Sequence, residues 1–194
     1  MKEIILASQS PRRKQLLEWA EIPFSIVVKS TDESFSPSLD VTEVPIFIAL
    51  EKALAVSEYL KKENKFIQDQ IILAADTIVV LGNTVINKPV DRADAIAILN
   101  SLSGKEHRVI TGVVMKKGEE EHSFSEVTNV TFHTLSQEQI EYYVDQYKPY
   151  DKAGAYAIQE WIGVIGIASI HGDFYNVMGL PVSRVVQLLN KLNS

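Results

Sequence analysis

Hydrophobic and polar positions alternate along the chain in blocks that predict both strands and helices. Short apolar runs bounded by turn residues predict strands at 4–7, 24–28, 71–81, 84–86, 108–116 and 123–132. Longer segments with apolar residues at a helical spacing predict helices at 11–19, 43–62, 92–102, 137–146 and 180–192. Because helices and strands alternate without strict βαβ regularity, the pattern favours an α/β fold with a mixed sheet.

Polar residues mark the starts of four of these helices. Ser10 precedes a proline at the first helical position, where the missing N–H is not needed. Thr42 and Asp91 are expected to cap the next two helices, and Ser136 with Gln139 forms a capping-box pattern. The sequence therefore predicts where each of these helices begins.

Three further regions carry structural expectations. In the helix at 43–62, Phe47, Leu50 and Leu54 are expected to share one face. The polar segment 29–41 is long enough for a loop to suggest a functional role. Towards the C-terminus, glycines are expected to separate short strands; they are Gly154, Gly163, Gly166 and Gly172.

Composition narrows the class of protein. With 194 residues, 46% of them hydrophobic, the chain can bury a substantial core as one large domain or as two tightly joined lobes. Its formal charge of -6 argues against non-specific nucleic-acid binding, which needs an excess of Lys and Arg. The absence of cysteine excludes disulfides, and no apolar stretch approaches the length of a membrane span. We therefore expect a cytoplasmic protein that binds neither nucleic acid nor membrane.

One acidic residue interrupts a long apolar run. Asp76 lies inside the segment 71–81, where an ionised carboxylate is costly to bury unless it is paired or bound to a metal. We interpret Asp76 as a candidate site residue that faces cations. The alternative is an Asp that caps or hydrogen-bonds a turn at the end of a strand.

The turn between the first strand and the first helix has the features of an anion site. Residues 8–10, beginning with Ser8, present backbone N–H groups at the positive end of a helix dipole. Arg12 and Arg13 lie in the first helical turn, where a cation opposes the dipole unless an anion binds nearby. The alternative is that both arginine side chains are solvated.

Two lysines are candidates for further positive charge. Lys52 is the only charge on a helical face formed with Ile48, Ala55 and Val56, and lysine is seldom fully buried without a partner. The alternative is that its stem covers the apolar face while its ammonium group reaches water. Lys88 lies on the loop after the predicted hairpin, and taken alone it is a weak candidate.

The remaining candidates are an acid and a glutamine. Glu33 lies in the long polar loop, and Gln159 follows a segment of charged and small residues, where it could read the polar edge of a ligand. The four histidines show no spacing typical of a metal site. One arrangement accounts for the candidates together: two carboxylates for a divalent ion, with Arg13, Lys52 and Lys88 around a polyphosphate.

Several ordered segments of the chain resemble the Maf family of nucleoside triphosphate pyrophosphatases. The N-terminal segment Leu6 to Arg13 is similar to the signature of that family. The further matches are Asp32-Glu33, Lys52-Ala53, Ala75-Asp76-Thr77, Lys88-Pro89, Leu102-Ser103-Gly104 with His107 to Gly112, Asp151 to Gln159, and Gly172 to Pro181. Together these ordered motifs are highly specific, whereas any single one would not be.

The resemblance implies a fold, a reaction and an assembly. The fold would be of the Maf and inosine-triphosphatase type, a single domain over residues 1–194 with an elongated mixed central sheet, flanking helices and a cleft between two lobes. The reaction would be hydrolysis of a nucleoside triphosphate to the monophosphate and pyrophosphate with a divalent cation, Mg or Mn, as nucleotide-pool house-cleaning. The assembly that the resemblance implies is often a homodimer.

The resemblance also implies roles for individual residues. Asp76 would accept a proton, with Glu33 beside it at the metal. The residues that would hold phosphates are Ser8, Arg13, Lys52 and Lys88. The residues that would set base preference are Arg12, Thr77 and Gln159, in the pattern of the branch acting on dTTP and UTP.

Two alternatives to this function stay open. One is the branch that acts on 7-methyl-GTP, which typically has an aromatic residue in place of Arg12 and Gln in place of Thr77. The other is a nucleotide-binding regulator of cell division and septum formation. Glu33 and Asp76 favour turnover over binding alone, because a pure binder of polyanions gains nothing from acids beside the phosphates.

The chain departs from the family pattern at two places. Glu21 lies where relatives usually have a glycine that ends the first helix, so the turn there is expected to be reshaped. The segment Glu160 to Gly163 differs from the shorter, glycine-rich stretch that often follows the glutamine.

Overall fold

The protein is described from a computed structural model that covers residues 2–36, 38–65 and 69–193. The chain divides into two compact units. The first unit contains Met1–Asp76, Thr111–Glu126 and Gly179–Ser194, and the second contains Thr77–Ile110 and Val127–Met178. The expectation of one domain with two lobes stays a prediction.

Within the described residues, seven strands form one mixed sheet. The strands are β1 (Ile4–Leu6), β2 (Phe24–Ile26), β3 (Ile71–Leu81), β4 (Thr84–Ile86), β5 (Glu106–Lys117), β6 (Glu120–Phe132) and β7 (Ile167–His171). Six of them follow the order β2-β1-β3-β5-β6-β7, and β4 pairs with β3. The pairs β1–β2 and β1–β3 are parallel, whereas β3–β4 and β6–β7 are antiparallel. The predicted α/β class with a mixed sheet is therefore confirmed.

Along the chain, helices separate and follow the strands. They are α1 (Pro11–Trp19), α2 (Val44–Lys62), α3 (Arg92–Leu102), α4 (Gln137–Tyr147), α5 (Trp161–Gly166), α6 (Phe174–Met178) and α7 (Val182–Leu192). A 3₁₀ turn lies at Ala153–Ala155. In the part of the chain that the structure describes, no helix is both long and apolar enough to cross a bilayer.

Strand β1 is the central strand of the parallel part of the first unit. Its Ile5 pairs with Ser25 of β2 on one side and with Ile72 of β3 on the other. All three residues of β1 are buried, as expected for a parallel strand covered on both faces. The amide of Ala7 continues the pairing by donating to the Leu73 carbonyl at 2.8 Å. The next residue, Ser8, therefore lies at the carboxyl edge of the parallel strands, where ligands bind in many α/β folds.

Helix α2 packs closely in the first unit because it presents small residues. Ala49 and Ala53 are fully buried in a cluster that includes Ile5 and Ile72 of the sheet. At the start of this helix, a Cβ added to Gly112 would overlap the backbone of Pro45 and Ile46, so the backbones meet directly there. This close approach fixes the helix that carries Lys52.

The second unit has its own apolar core and a buried aromatic cluster. Val79, Val109 and Val130 are buried together. In the same unit, the rings of Phe132 and Tyr156 lie 5.0 Å apart between centroids, and the His107 ring lies 5.3 and 5.5 Å from them. Aromatic pairs at these distances add to the stability of a core.

Three predicted helix starts are confirmed by capping hydrogen bonds. The Ser10 side chain accepts from the Arg13 amide, and the Asp91 carboxylate accepts from the Asp94 amide at 2.8 Å. At α4, Ser136 and Gln139 form both hydrogen bonds of a capping box. These caps depend on neighbouring residues alone, which is why the sequence predicts them well.

The predicted cap at Thr42 is wrong. Glu43 precedes α2 in a helical conformation, and no side chain caps the helix. Thr42 instead donates its amide and its hydroxyl to Asp40 Oδ1, at 2.8 and 2.6 Å. Since this local turn occupies the threonine hydroxyl, the helix begins two residues later at Val44.

The three large residues predicted to share one face of α2 are not the most buried residues of that helix. Phe47 is 41% exposed, and Leu50 and Leu54 are half-buried. The buried residues of this helix include Ala49, Ala53 and Val56. Small side chains at 49 and 53 allow α2 to approach the sheet closely.

The expectation of short strands between the C-terminal glycines is confirmed only at β7. The residues 161–166 and 174–178 form helices α5 and α6. A Cβ added to Gly163 would overlap the carbonyl of Ile158, so this glycine permits a close approach between α5 and the preceding segment. The glycines therefore mark close packing as well as chain reversal.

The reshaping expected at Glu21 is wrong, because the end of α1 has the ordinary form of a helix that ends in glycine. Glu21 adopts a left-handed conformation, with φ of 54°. The amides of Glu21 and Ile22 donate to the carbonyls of Glu18 and Leu17, at 3.0 and 3.1 Å. This is the pattern in which glycine usually ends a helix, so the glutamate adopts it at a cost in backbone strain.

Candidate active site

Six of the predicted site residues lie in the first unit. They are Ser8, Arg12, Arg13, Glu33, Lys52 and Asp76. Ser8 follows β1, the arginines lie in the first turn of α1, Lys52 lies in α2 and Asp76 lies in β3. Glu33 belongs to the long loop between β2 and α2. Three elements and two loops therefore supply these side chains.

Asp76 and Glu33 share one ammonium group. Lys52 Nζ lies 2.8 Å from Asp76 Oδ1 and 2.7 Å from Glu33 Oε1. The side chains of Lys52 and Asp76 are 17% and 14% exposed, whereas that of Glu33 is 50% exposed. The site therefore combines two carboxylates and a cation that are partly shielded from water, where charge interactions are stronger than at the surface.

Asp76 does not cap a turn. It lies in the middle of the continuous strand β3, and its carboxylate accepts a hydrogen bond from Lys52. Lys52 likewise does not extend its ammonium group into water, because that group binds both acids. Asp76 therefore lies against a cation, Lys52, and its role as a site residue stays a prediction.

Arg13 is buried and held by the protein. Its Nε donates to the Gly179 carbonyl at 2.8 Å, and its Nη1 donates to Ser8 Oγ at 3.1 Å. The Ser8 hydroxyl also accepts from the Ser10 amide at 3.2 Å. The side chain of Arg13 is thus not solvated, and Ser8 and Arg13 form one connected group at the edge of β1.

Charges around Arg13 connect it to the two acids. Burial lowers the pKa of the Arg13 guanidinium, the negative charges of Asp76 and Glu33 raise it, and the positive charge of Arg12 lowers it. A buried arginine is stable when acids compensate its charge. Arg13 is therefore part of the same electrostatic group as Lys52, Glu33 and Asp76.

The other three predicted site residues lie in the second unit. Thr77 follows Asp76 in β3 and is half-buried, while Lys88 and Gln159 are exposed. Asn87, the residue before Lys88, accepts a hydrogen bond through its carbonyl from the Gly154 amide at 3.4 Å. Gly154 lies in the segment that leads to Gln159. The second unit therefore connects the loop of Lys88 to the segment that carries Gln159.

Other polar residues of interest have structural roles. Asp173 Oδ1 accepts from the Tyr175 amide at 2.7 Å at the start of α6. His107 is buried, with Nε2 2.7 Å from the Tyr156 hydroxyl, and burial lowers its pKa to about 4. Among the described residues, no group of three or more His, Asp or Glu side chains has the arrangement of a metal site.

Two contacts were not predicted from the sequence. One is the hydrogen bond between Arg13 and Gly179, residues that are 166 positions apart. The other is a network in which Tyr143 and Lys152 bind Glu160. The left-handed φ of 114° at Gly179 is a local signal for the first contact, since glycine is the residue that adopts it readily. Nothing in the sequence pattern points to the second.

Comparison with known proteins identifies the relatives of this chain. It is 49% identical over 190 residues to a Cytophaga hutchinsonii protein named dTTP/UTP pyrophosphatase, which covers 98% of this chain and 84% of that protein. It is 48% identical over 191 residues to a Phocaeicola vulgatus protein of the same name, covering 98% and 96%. Among solved structures it is similar to the Staphylococcus aureus Ham1 protein, with 14% identity, a TM-score of 0.42, and 68% and 72% of the two chains covered.

The family assignment follows from nearly the whole length of the chain. The family model described as Maf-like protein matches residues 3–192. This range includes every predicted site residue of both units. The ordered motifs found in the sequence and the relatives that match along the full chain agree: this chain belongs to the Maf-like protein family.

Proposed function

We propose that this protein hydrolyses dTTP and UTP to the nucleoside monophosphate and pyrophosphate. The relatives named dTTP/UTP pyrophosphatase support this substrate class, since they match 98% of the chain. The observation that carries the proposal is the Lys52 ammonium group between the Glu33 and Asp76 carboxylates, in one electrostatic group with Arg13. Fixed cations beside carboxylates suit phosphoryl transfer, in which positioning and charge neutralisation supply most of the catalysis.

The two carboxylates fit a divalent cation. Glu33 Oε1 and Asp76 Oδ1 each lie within 2.8 Å of the same nitrogen, so their oxygens already converge on one cation. Mg²⁺ and Mn²⁺ prefer oxygen ligands and commonly take one or two carboxylates together with substrate phosphates. Glu33 and Asp76 would hold such an ion, which supplies charge neutralisation on the phosphate oxygens when bound.

Asp76 would accept a proton from the attacking water. The water oxygen forms a bond to the α-phosphorus while the bond from that phosphorus to the bridging oxygen breaks. Pyrophosphate leaves with the electron pair, and one proton of the water passes to the Asp76 carboxylate. Lys52 supports this role because its hydrogen bond fixes the orientation of that carboxylate.

The phosphates would be bound by Ser8, Arg13, Lys52 and Lys88. Arg13 suits a fixed cation, because its hydrogen bonds to Gly179 and Ser8 hold the guanidinium in one orientation. Preorganised charge of this kind stabilises a transition state without reorganisation during the reaction. Lys88 is exposed on its loop and would supply a mobile cation.

The base would be read by Arg12, Thr77 and Gln159. These residues match the pattern of the branch acting on dTTP and UTP, and all three have polar side chains. Polar groups discriminate strongly between bases, because a wrong base leaves buried donors or acceptors unpaired. Changing Arg12 to Trp together with Thr77 to Gln should therefore lower kcat/KM for dTTP more than for 7-methyl-GTP.

A nucleotide panel tests the proposal. The purified protein is mixed with Mg²⁺ or Mn²⁺ and with each of dTTP, UTP, dCTP, dGTP and 7-methyl-GTP, and pyrophosphate and orthophosphate are measured separately. We expect pyrophosphate, with dTTP and UTP as the best substrates. Orthophosphate with a nucleoside diphosphate would place the attack at the terminal phosphorus. Tight dTTP binding without any product would indicate a binding protein, and either result would overturn the proposal.

A further inference from the structure

The segment that carries Gln159 is a turn whose two ends bind the same side chain. The Glu160 amide donates to the Ala157 carbonyl at 3.1 Å, which closes a four-residue turn with Gln159 exposed at its third position. The buried Tyr143 hydroxyl accepts from the Ala157 amide at 3.1 Å and donates to the Glu160 carboxylate. One hydroxyl group of α4 therefore joins the first and last residues of the turn.

Glu160 has a second partner on its other carboxylate oxygen. Lys152 Nζ lies 3.5 Å from Glu160 Oε1 and 2.8 Å from Asp151 Oδ1, and the lysine side chain is buried. A buried ammonium group needs acids to compensate its charge. Glu160 is therefore fixed by an uncharged hydroxyl on one oxygen and by a cation on the other.

The middle of the turn is fixed by a close backbone contact. A Cβ on Gly163 would overlap the Ile158 carbonyl, so the first turn of α5 packs directly against the peptide that precedes Gln159. Tyr143 itself is fully buried and stacks on Tyr147, with 5.0 Å between ring centroids. The exposed glutamine is thus carried on a backbone that cannot move without disturbing buried groups.

We propose that Glu160 is a positioning residue for base recognition: bound by Tyr143 and Lys152, it sets the orientation in which Gln159 meets the nucleotide base. The inference rests on the proposed function, because Gln159 reads a base only in a nucleotide-binding protein. Glu160 acts through the turn and touches no substrate. Because the turn carries the base-reading glutamine, its displacement changes selectivity between bases, whereas the phosphate-binding groups Ser8, Arg13 and Lys52 lie on other elements.

Two substitutions remove the contacts that hold Glu160 and change the shape of the side chains little. Tyr143→Phe deletes the hydroxyl that joins the ends of the turn, and Glu160→Gln removes the charge that Lys152 binds. Tyr142→Phe is the matched control, since it removes the same hydroxyl from the adjacent, exposed tyrosine, whose ring packs on Trp161. Circular dichroism and thermal unfolding establish that each variant is folded.

The measurements compare recognition of the base with recognition of the phosphates. For each protein, kcat/KM is measured for dTTP and dGTP, and the inhibition constants are measured for dTMP and for pyrophosphate. We expect Tyr143→Phe and Glu160→Gln to lower the dTTP-to-dGTP ratio and to weaken dTMP binding by roughly tenfold each, because a misplaced polar group loses its pairing. Pyrophosphate inhibition should stay within roughly twofold of wild type, and Tyr142→Phe should match wild type throughout.

Different outcomes identify different failures. If the wild-type protein releases no pyrophosphate from any nucleotide, the proposed function is overturned and this inference with it. If the wild type is active but folded Glu160→Gln keeps the wild-type ratio and dTMP constant, the inference alone is overturned. An equal loss of dTMP and pyrophosphate binding would also overturn it, because that result indicates a general loss of structure. If Tyr143→Phe does not fold, Glu160→Gln decides the question.

Discussion

The guanidinium of Arg13 donates through Nε to the carbonyl oxygen of Gly179 at 2.8 Å, and the two residues are 166 positions apart in the chain. The contact joins the first turn of α1 to the segment before α7. Because Gly179 has a φ of 114°, which favours glycine, the carbonyl is presented by a conformation that other residues adopt at a cost. A residue proposed to bind phosphate is therefore also a structural link.

Arg13→Lys should lower both stability and activity. Lysine keeps the positive charge but has a single nitrogen, so it cannot donate to the Gly179 carbonyl and to Ser8 in the same geometry. We expect the free energy of unfolding to fall by about 1–3 kcal/mol, measured by urea denaturation, because a buried acceptor loses its partner. Arg12→Lys, at the half-buried neighbour, should cost less. Wild-type stability in Arg13→Lys would contradict the structural role.

Asp76→Asn should abolish most turnover while the protein folds normally. The amide keeps the shape of the side chain but cannot accept the proton of the attacking water, so kcat should fall by roughly 100-fold or more. Binding of dTTP, measured by calorimetry, should be retained or strengthened because a negative charge is removed. The control is Asp32→Asn, an exposed acid whose carboxylate binds Ser34. Near-normal kcat in a metal-saturated Asp76→Asn protein would remove Asp76 from the catalytic role.

Lys52→Met should weaken catalysis and strengthen divalent-cation binding. The substitution keeps an apolar side chain on the buried face of α2 and removes the ammonium group that Glu33 and Asp76 share. Without that competing cation, the two carboxylates should bind Mg²⁺ or Mn²⁺ more tightly, as measured by titration calorimetry. Stability should change little. Lys62→Met, in the last turn of the same helix, is the matched control. Unchanged cation affinity would show that the acids do not hold the ion.

His107 should make stability depend on pH. Burial lowers its pKa in the folded protein to about 4, below the ordinary histidine value of 6.5, so the unfolded chain takes up a proton first as the pH falls. The stabilising contribution is therefore complete above pH 6.5 and decreases as the pH falls towards 4. Between pH 8 and pH 5 the loss should be on the order of 2 kcal/mol.

The measurement for His107 is urea denaturation of wild type and His107→Gln at both pH values. Glutamine does not titrate, so the difference in stability between the two proteins should shrink at pH 5. His133→Gln, at an exposed histidine, should keep the pH dependence of wild type. A wild-type pH dependence in His107→Gln would assign the effect to other groups.

Glu21→Gly should stabilise the protein. Glu21 has a φ of 54° at the end of α1, where glycine meets no steric penalty. The gain should be about 1 kcal/mol, which is less than the strain relieved because glycine also gives the unfolded chain more freedom. The control is Glu18→Gly, which lies inside the last turn of α1 and should destabilise by about the same amount. A loss of stability in Glu21→Gly would show that the side chain makes a contact that outweighs the strain.

Local signals explain what the sequence predicted correctly. Ser10, Asp91 and Ser136 each cap a helix through hydrogen bonds to residues three positions away, so their effect can be read from a few neighbours. The strand at 71–81 is equally local, because its apolar run has the length of a buried strand. An acidic residue inside that apolar run predicted a cation close to Asp76, and the structure has Lys52 there.

Tertiary contacts explain what the sequence could not predict. The close approach of Gly112 to the start of α2 joins distant parts of the chain, and no periodicity of α2 alone reveals it. The shared ammonium group of Lys52 requires a helix, a strand and a loop to meet, and only the fold determines that meeting. The partners of Glu160 likewise come from α4 and from the 3₁₀ region, which lie 8 or more positions away along the chain.

The buried residue Ala155 has a φ of 58°, directly after Gly154 with a φ of 70°. An alanine in the left-handed region is held there by its surroundings, because the isolated chain would relax to a different conformation. The turn of Gln159 begins two residues later and depends on the same packed surroundings. A peptide copied from this segment, or a graft of it onto another scaffold, would therefore lose the shape that the intact protein gives it. The base recognition proposed for this turn would therefore not transfer with the segment alone, and a redesign would have to start from the buried residues beneath it.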